Sequence, residues 1–287
     1  MRVIMAGFFC LAALGVFLGF GGWLHPAGDS LSLLRPVFGV LCLIGLFLLR
    51  PAWLRRAMGI AVLSVAATVV PAFVGQKDGG DLRLYAKNLW WANSQIELVA
   101  ADILAADVDV VMLQEVSKRT AHVLDLLADQ FPYQHWCRHN EWMGEAVVSR
   151  IPMSGEGICT STRGAAAAPI DIDGATVWVA SVHIPWPWPY KSMTNEAEVG
   201  AVLKGLEGPV VVAGDFNMFP WTKRVRDVAA ASGTELVGPT RATLTLWEMP
   251  LPIDHVLAPG GGSVERRPLL GSDHRGLIAD VRIWVGH

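Results

Sequence analysis

The sequence predicts an α/β domain that follows an apolar N-terminal region. From residue 82 onward, short β-branched runs alternate with amphipathic segments, as strands and helices do in one α/β domain. Residues 1–75, the apolar region, hold five arginines and one aspartate, a net charge of +4, whereas the rest of the chain has a net charge of −7. Hydrophobic residues make up 52% of the chain and charged residues 17%, so part of it is expected to contact lipid.

Three apolar stretches in this region predict three transmembrane helices, at residues 3–23, 36–49 and 57–74. A bilayer core needs about 20 apolar helical residues, which the first and third stretches supply. Extending the shorter middle stretch through residues 31–34 brings Arg35 into the end of the span, where a long side chain can reach the interface. A cleaved signal peptide is the alternative for the first stretch, but it leaves the other two unexplained.

Arginines predict the orientation of these helices. Arg2 precedes the first stretch, and Arg50, Arg55 and Arg56 separate the second from the third. Because basic residues favour the cytoplasmic ends of spans, everything after residue 74 is expected outside the cytoplasm. Residues 1–75 would form a membrane anchor, residues 76–81 a tether, and residues 82–287 the outer domain, called here the α/β domain. Two spans with a re-entrant piece, or an inverted topology, are the alternatives.

Within the α/β domain, the pattern predicts strands at residues 82–87, 109–113, 146–149, 176–182, 209–213, 253–258 and 277–285. It predicts helices at residues 94–106, 117–129, 192–206 and 222–231. Ser94 and Ser117 are the expected N-caps of the first two helices. Cys137 and Cys159 could pair in an oxidising compartment, although the sequence favours two unpaired thiols.

Polar residues cluster at the ends of these strands, where α/β folds build their sites. They comprise four carboxylates, two amides and two imidazoles: Glu115, Asp215, Asp254, Asp273, Asn88, Asn217, His183 and His274. Magnesium prefers oxygen ligands and typically takes one or two carboxylates, which leaves the others for acid-base chemistry. Each residue alone is an ordinary turn or cap former, so the prediction of a metal-dependent phosphoesterase depends on their order and spacing.

The motifs that carry these residues resemble those of the endonuclease/exonuclease/phosphatase superfamily. They are Asn88, Leu113-Gln114-Glu115, Gly144 through Ser149-Arg150-Ile151-Pro152, Gly214-Asp215-Phe216-Asn217, Ile253-Asp254-His255 and Ser272-Asp273-His274. The resemblance implies a four-layer αββα sandwich, two packed β-sheets flanked by helices, here preceded by the three transmembrane helices. It also implies Mg²⁺, with Mn²⁺ as an alternative, bound by Glu115 with help from Asn88 and Asp273.

The same resemblance implies roles for the remaining polar residues. Asp215 would activate the attacking water, and Asn217 and His274 would hold the transferring phosphoryl group. Asp254 would orient His274, and His183 would contact the phosphate.

Six tryptophans lie close in sequence to site residues and are expected to ring the mouth: Trp90, Trp91, Trp186, Trp188, Trp221 and Trp247. Tryptophan favours the membrane–water interface, so this rim could dip toward a bilayer, although a plain hydrophobic collar is the alternative. The net charge of −7 disfavours nucleic acid as a partner because phosphate backbones are bound by basic fields.

We therefore expect a multi-pass protein of the bacterial cytoplasmic membrane with an extracytoplasmic catalytic domain. The expected partners are the lipid bilayer and a phosphate-bearing lipid substrate, either a phospholipid or an isoprenoid (pyro)phosphate; protein partners are left open. The architecture resembles the membrane-anchored branch of the superfamily linked to glycopeptide resistance. An extracytoplasmic nuclease or nucleotide phosphodiesterase, and a non-catalytic envelope protein, are the competing interpretations.

Overall fold

The computed structural model describes residues 2–75 and 79–284. In the apolar region it contains four α-helices: α1 (Arg2–Leu18), α2 (Pro26–Leu31), α3 (Arg35–Leu48) and α4 (Ala52–Val69). Phe9 and Val16 of α1 pack against Cys42 of α3 and Met58 of α4, which makes these helices one bundle. A 3₁₀ turn at Ser32–Leu34 joins α2 to α3, so that Pro26–Leu48 runs as one helical segment.

The prediction of three membrane-spanning helices is wrong in number. Two helices are long and apolar enough to cross a membrane, Pro26–Leu48 and Ala52–Phe73, whereas the apolar helix Val3–Leu18 is shorter. The 17 residues of α1 span about 25 Å at 1.5 Å per residue, less than a bilayer core of about 30 Å. Three glycines within four residues, Gly19, Gly21 and Gly22, follow the helix and together disfavour its continuation, because each costs about 1 kcal/mol relative to alanine inside a helix.

The α/β domain contains four α-helices and fourteen strands in the part of the chain that the structure describes. The helices are α5 (Ile96–Ala105), α6 (His122–Leu127), α7 (Met193–Lys204) and α8 (Lys223–Ser232). The strands are β1 (Leu82–Asn88), β2 (Val110–Gln114), β3 (Tyr133–Arg138), β4 (Gly144–Ser149), β5 (Ile158–Cys159), β6 (Ala165–Ile172), β7 (Ala175–His183), β8 (Val210–Asp215), β9 (Glu235–Leu236), β10 (Leu244–Leu246), β11 (Met249–Leu251), β12 (Asp254–Ala258), β13 (Gly262–Arg266) and β14 (Leu277–Val281).

Twelve of these strands form two six-stranded mixed sheets. The first has the order β13-β14-β1-β2-β4-β3 and the second the order β5-β6-β7-β8-β12-β9, while β10 and β11 make a separate hairpin. Each sheet has one parallel pair near its centre, β1 with β2 and β7 with β8. Parallel neighbours bring their carboxyl ends to the same edge, which is where the predicted site residues follow the strands.

Three hydrophobic clusters define the layers. Leu84 and Met112 of the first sheet meet Val179 and Val211 of the second in the core between the sheets. A second cluster lies between the first sheet and α5 and α6, and a third between the second sheet and α7 and α8. The order of layers is therefore helix, sheet, sheet, helix, as the resemblance implied.

The seven predicted strands correspond to β1, β2, β4, β7, β8, β12 and β14, although β14 ends at Val281 and residue 285 lies outside the described part. The predicted helix at 117–129 is shorter, because residues 117–120 form a turn before α6. In this turn the Ser117 N–H donates to the Thr120 hydroxyl, and the Thr120 N–H donates to the Ser117 hydroxyl. Ser94 is not an N-cap, since α5 begins at Ile96 after Gln95. Of the predicted tether, residues 76–78 lie outside the described residues.

Cys137 on β3 and Cys159 on β5 form a disulfide bond, so the preference for two unpaired thiols is wrong. The bond joins edge strands of the two different sheets. Their proximity could not be predicted from the strand pattern because the two cysteines belong to strands that pair with different neighbours.

The apolar region contacts the α/β domain through the segment that joins α1 to α3. The Asp29 carboxylate accepts hydrogen bonds from the backbone N–H groups of Lys223 (2.6 Å) and Arg224 (3.0 Å), the first residues of α8. The Trp221 indole donates to the carbonyl of Ser32 at 2.8 Å. The buried Arg35 guanidinium donates to the carbonyl of Trp221 at 3.3 Å. These bonds fix the start of α8, and the loop before it, against the bundle.

Candidate active site

The site lies where β1, β2, β7 and β8 end and β12 begins. Asn88 pairs in register with Gln114, the residue before Glu115, and Asp215 pairs with both His183 and Asp254. The register therefore brings the site residues of each sheet to one edge, and the packing of the two sheets places these edges together. Sequence positions far apart along the chain become neighbours because the two parallel pairs end side by side.

Two backbone features shape this edge. Gly214 has φ +146°, and a Cβ at that position would lie 2.0 Å from the Val182 carbonyl oxygen, so a side chain there would collide with β7. Glu115 and Asn217, which follow β2 and β8, have positive φ values of 55° and 50°. Non-glycine residues in this left-handed region cost free energy and concentrate at functional sites, where the surrounding structure holds them in place.

The carboxylate of Asp215 is the centre of the cluster. Its Oδ2 accepts hydrogen bonds from the Asn88 amide at 3.1 Å and from the Asn217 amide at 3.2 Å. The Asn88 amide also donates to Glu115 Oε1 at 3.2 Å, so it bridges the two carboxylates. His183 Nε2 lies 3.6 Å from Asp215 and 3.7 Å from Glu115.

His274 and Asp254 form a buried pair beside Asp215. His274 Nδ1 lies 2.8 Å from Asp254 Oδ2, and His274 Nε2 lies 3.7 Å from Asp215 Oδ2. Asp273 directly precedes His274 and has an exposed side chain. The structure thus brings seven of the eight predicted polar residues into direct contact with one another, and it places Asp273 at the surface beside them.

Charge and burial shift the protonation of this cluster. Burial raises the pKa of Asp215 above its ordinary value; His274 opposes that shift, and the nearby Asp254 and Glu115 carboxylates add to it. Burial by itself would lower the pKa of His274, but the carboxylates of Asp254 and Asp215 outweigh it and raise that pKa. Burial lowers the pKa of His183 well below its ordinary value, so its imidazole is neutral.

The donor set fits a divalent cation. Asp215, Asp254 and His274 offer ligand atoms within 4.8 Å of one another, and Asn217 Oδ1 is buried without a hydrogen-bond partner. Glu115 adds a carboxylate whose Oε2 accepts the Trp91 N–H at 2.9 Å. A divalent cation among these oxygens would offset the repulsion between the carboxylates, and oxygen ligands are those that Mg²⁺ prefers.

Sequence reasoning missed a buried acid behind the site. Glu145 on β4 is fully buried, and its Oε2 lies 2.6 Å from His139 Nε2. Its Oε1 lies 3.8 Å from His183 Nδ1, and both of these atoms have no hydrogen-bond partner. An isolated acid at the start of an otherwise apolar strand was the available signal, but the predicted strand began one residue later.

Five of the six predicted rim tryptophans are exposed, from 37% for Trp90 to 83% for Trp247, which lies in the tight turn of the β10–β11 hairpin. Trp91 packs edge-on against Trp142, a further exposed tryptophan. Trp221 differs, because it is 5% exposed and packs against Phe73 and Phe219. It belongs to the contact with the apolar region and cannot offer its ring to a ligand from the rim.

Two packed mixed sheets with an oxygen-rich cluster at one edge define a metal-dependent phosphoesterase. The sequence model of the Endonuclease/Exonuclease/phosphatase family matches residues 87–274, and the chain belongs to this family. The protein is a Mg-dependent phosphoesterase of that family. No curated protein sequence matches the chain.

Solved structures share this fold at low sequence identity. A variant of beta toxin from Staphylococcus aureus with bound magnesium ions is 16% identical, with TM-score 0.55, covering 70% of this chain and 99% of that one. Sphingomyelinase C from Streptomyces griseocarneus is 17% identical, with TM-score 0.52 and the same coverage. The family member from Bacteroides vulgatus is 15% identical, with TM-score 0.57, covering 71% and 99%. These similarities concern the fold.

Proposed function

We propose that this phosphoesterase is anchored in the membrane by its apolar region and hydrolyses a phosphate ester carried on a membrane lipid. The observation that carries the proposal is the contact between the apolar region and two loops that extend from site residues. One loop runs from His183 to Trp188, and the other from Asn217 to Lys223. Both touch the segment between α1 and α3, so the mouth lies close to the surface from which the helices would enter a bilayer.

The two loops make separate contacts with this segment. The Ser30 hydroxyl donates to the Trp188 carbonyl at 2.8 Å, and the His25 ring packs edge-on against the Trp188 ring. On the other loop, Asp29 and Ser32 bind the backbone of Lys223 and the indole of Trp221. Because the contacts lie on two loops that begin at different strands, they resist rotation of the α/β domain about its connection to α4.

Charge and disulfide bonding support an extracytoplasmic α/β domain. Arg50, Arg55 and Arg56 lie at the connection between α3 and α4, at the far end of α4 from the domain, and basic residues favour the cytoplasm. The Cys137–Cys159 disulfide favours an oxidising compartment. In this proposal, residues 1–75 are the anchor, residues 76–81 the tether and residues 82–287 the catalytic domain.

The surface around the mouth suits a lipid better than a nucleic acid. Exposed tryptophans such as Trp186, Trp188 and Trp247 favour the headgroup level of a membrane. The net charge of −7 outside the apolar region gives no basic field for a nucleic-acid backbone. Sphingomyelinase C, whose name states a lipid substrate, shares the fold.

In the proposed mechanism, Glu115 and Asn88 would hold the magnesium ion, with help from Asp273, which is exposed beside them. The bound ion would polarise the phosphoryl oxygens. Asp215 accepts a proton from the attacking water, which its raised pKa suits near neutral pH.

Charge stabilisation and geometry come from the other residues. The His274 Nε2–H and the Asn217 amide stabilise negative charge on the phosphoryl oxygens. Asp254 accepts the Nδ1–H of His274 and keeps Nε2 directed toward Asp215. The neutral His183 contacts the phosphate.

The test is hydrolysis by the full-length protein reconstituted in vesicles of phosphatidylglycerol, phosphatidylcholine and sphingomyelin, with and without a polyprenyl pyrophosphate, in Mg²⁺. We expect release of a phosphate or a phosphorylated headgroup, lost in Asp215→Ala and retained in the matched control Asp171→Ala, an exposed acid on β6. Plasmid nicking abolished by His274→Ala, together with no hydrolysis of any lipid, would instead establish the nuclease interpretation.

A second experiment tests whether the rim tryptophans contribute to hydrolysis at a membrane surface. Trp186→Ser and Trp247→Ser should lower hydrolysis of vesicle lipid while leaving hydrolysis of the soluble diester bis(p-nitrophenyl) phosphate unchanged. Trp53→Ser, at the opposite end of α4 from the domain, is the matched control. Equal losses on both substrates would assign these tryptophans to packing, as a hydrophobic collar.

The relation to the glycopeptide-resistance branch, and with it an isoprenoid substrate, stays a prediction. It depends on the apolar region, whereas the family match begins at residue 87. Expression in a glycopeptide-susceptible bacterium should raise the inhibitory concentration of a glycopeptide antibiotic, and expression of Asp215→Ala should not. An unchanged inhibitory concentration with wild-type protein would refute this relation while leaving lipid hydrolysis open.

A further inference from the structure

A buried lysine lies directly beneath the segment that carries His274. Lys87 is the penultimate residue of β1, is 1% exposed, and precedes the site residue Asn88. Successive side chains of a strand point to opposite faces, so Lys87 points away from the cluster at Asp215. Tyr85, on the same face as Lys87, belongs to the cluster beneath α5, which confirms this direction.

The Lys87 ammonium binds both ends of one loop. Its Nζ donates to the carbonyls of Leu269 at 2.9 Å and His274 at 2.8 Å, with Pro268 at 3.4 Å. Three N–H donors therefore meet three carbonyl oxygens, which satisfies the group completely. The loop folds around this cation, because residues 268–269 and residue 274 are its two ends.

The loop between these ends turns sharply and is also held by the Asn93 amide, which donates to the Leu270 carbonyl at 3.0 Å. Leu270 and Gly271 have positive φ values of 52° and 80°, so the chain reverses direction there. The Ser272 hydroxyl donates to the Asn88 carbonyl at 2.8 Å and accepts the His274 N–H at 3.0 Å. Lys87 and Ser272 thus attach the His274 backbone to the end of β1, one on each side of the loop.

We propose that Lys87 is a positioning residue for His274: its ammonium fixes the backbone at residue 274 so that the imidazole meets both Asp254 and Asp215. This inference rests on the role proposed above for His274. These hydrogen bonds of Lys87 are to backbone carbonyls and not to the carboxylates of the proposed metal ligands. Its removal would take the ammonium away from the Pro268 and His274 carbonyls, while the Leu269 carbonyl would keep the Ser272 N–H at 3.1 Å, and the loop would shift to regain hydrogen bonds.

The test is a double-mutant cycle in the full-length protein with bis(p-nitrophenyl) phosphate and saturating Mg²⁺. We expect Lys87→Met to lower kcat roughly tenfold to a hundredfold, as loss of a supporting contact does, with little change in KM. In a His274→Ala background the same substitution should lower kcat by less than about twofold, because interacting residues are not additive. Lys87→Arg keeps the charge with a different donor geometry, so its kcat should be intermediate.

The control is Val177→Ala, which removes buried volume between the sheets without touching residues 268–274. Its effect on kcat should be the same in both backgrounds. A loss from Lys87→Met that is equally large with and without His274 would assign Lys87 to general stability and overturn the proposal. A wild-type kcat in both Lys87 variants would also overturn it.

A spectroscopic measurement separates this inference from the role of His274. The Nδ1 proton that His274 shares with Asp254 is expected to give a downfield proton resonance, identified by its loss in His274→Ala. Lys87→Arg and Lys87→Met should weaken or shift it, whereas Val177→Ala should not; an unchanged resonance in folded Lys87 variants refutes the inference. A wild-type kcat in His274→Ala would refute the catalytic role of His274 while this resonance still reports on Lys87.

Discussion

The pair of Asp254 and His274 gives the sharpest test of the proposed mechanism, through the substitution Asp254→Asn. This change keeps the shape of the side chain and removes its charge. The backbone at residue 254 is held independently, since β12 pairs with β8 and the Asp254 N–H donates to the Thr243 hydroxyl at 3.2 Å. The substitution therefore tests the charge on the 2.8 Å contact with His274 rather than the position of the strand.

The structure sets the expected size of the effect. Both side chains are about 6% exposed, so water does not replace the lost interaction. A hydrogen bond to a charged group contributes about 1.5–3 kcal/mol, and about 1.4 kcal/mol corresponds to a factor of ten. If this energy is expressed in the transition state, kcat should fall roughly 10- to 150-fold.

The sign of the pH effect follows from the same pair. Asp254 raises the pKa of His274, so the protonated imidazole persists to higher pH and is lost as pH rises through that pKa. Asp254→Asn lowers the pKa of His274. The basic limb of the kcat profile should therefore move to lower pH.

The assay is steady-state hydrolysis of bis(p-nitrophenyl) phosphate at saturating Mg²⁺ across a pH series. The matched control is Asp280→Asn on β14, which makes the same chemical change in a partly exposed ion pair with Arg83. That variant should stay within about twofold of wild type, since exposed pairs contribute about 0–1 kcal/mol. A kcat within twofold of wild type in Asp254→Asn, or a loss confined to KM, would refute the reasoning.

Three further outcomes are expected. Glu115→Gln should weaken Mg²⁺ binding by roughly tenfold or more in a calorimetric titration, and unchanged binding would exclude Glu115 as the main ligand. Burial lowers the pKa of His255 to about 4, so the folded state resists a proton that the unfolded state takes up below its ordinary pKa of about 6.5. As the pH falls from about 6.5 to about 4, the free energy of unfolding of the wild type should decrease by up to about 3 kcal/mol because of this histidine. The variant His255→Gln should lack this decrease, which is measured by comparing the unfolding midpoints of the two proteins across the pH range. Replacing Cys137 and Cys159 by serine should lower the free energy of unfolding by about 2–4 kcal/mol, and a thermal midpoint insensitive to both the substitution and reductant would mean that the bond does not form.

The polar cluster was predictable because its members lie at or near the ends of strands whose pattern was visible in the sequence. Two parallel strand pairs end at the site, and their register brings together the residues at these ends: Asn88, Glu115, His183 and Asp215. The roles assigned to these residues stay predictions. Glu145 and Lys87 were missed for a shared reason. Each is a charge within a buried strand, and its partners lie in segments that the sequence did not place beside it.

Helix propensity does not predict the structure of a segment that strand pairing holds in a sheet. Residues 165–168 are four consecutive alanines, the best helix formers, yet they belong to β6 between β5 and β7. Ala165 and Ala167 face the cluster beneath α7 and α8, and Ala168 faces the core between the sheets. The small side chain lets both faces pack closely, so tertiary burial outweighs the intrinsic preference.

Asp29 illustrates what a hydropathy pattern cannot show. In the sequence it is the single acid of the apolar region, a cost to any membrane-spanning segment that contains it. In the structure its two carboxylate oxygens bind two N–H groups at the start of α8, so the charge is satisfied by the domain rather than by lipid. The residue that weakens the segment as a membrane span therefore helps to hold the α/β domain against the apolar region, and this pairing across almost two hundred residues appears only when the chain is folded.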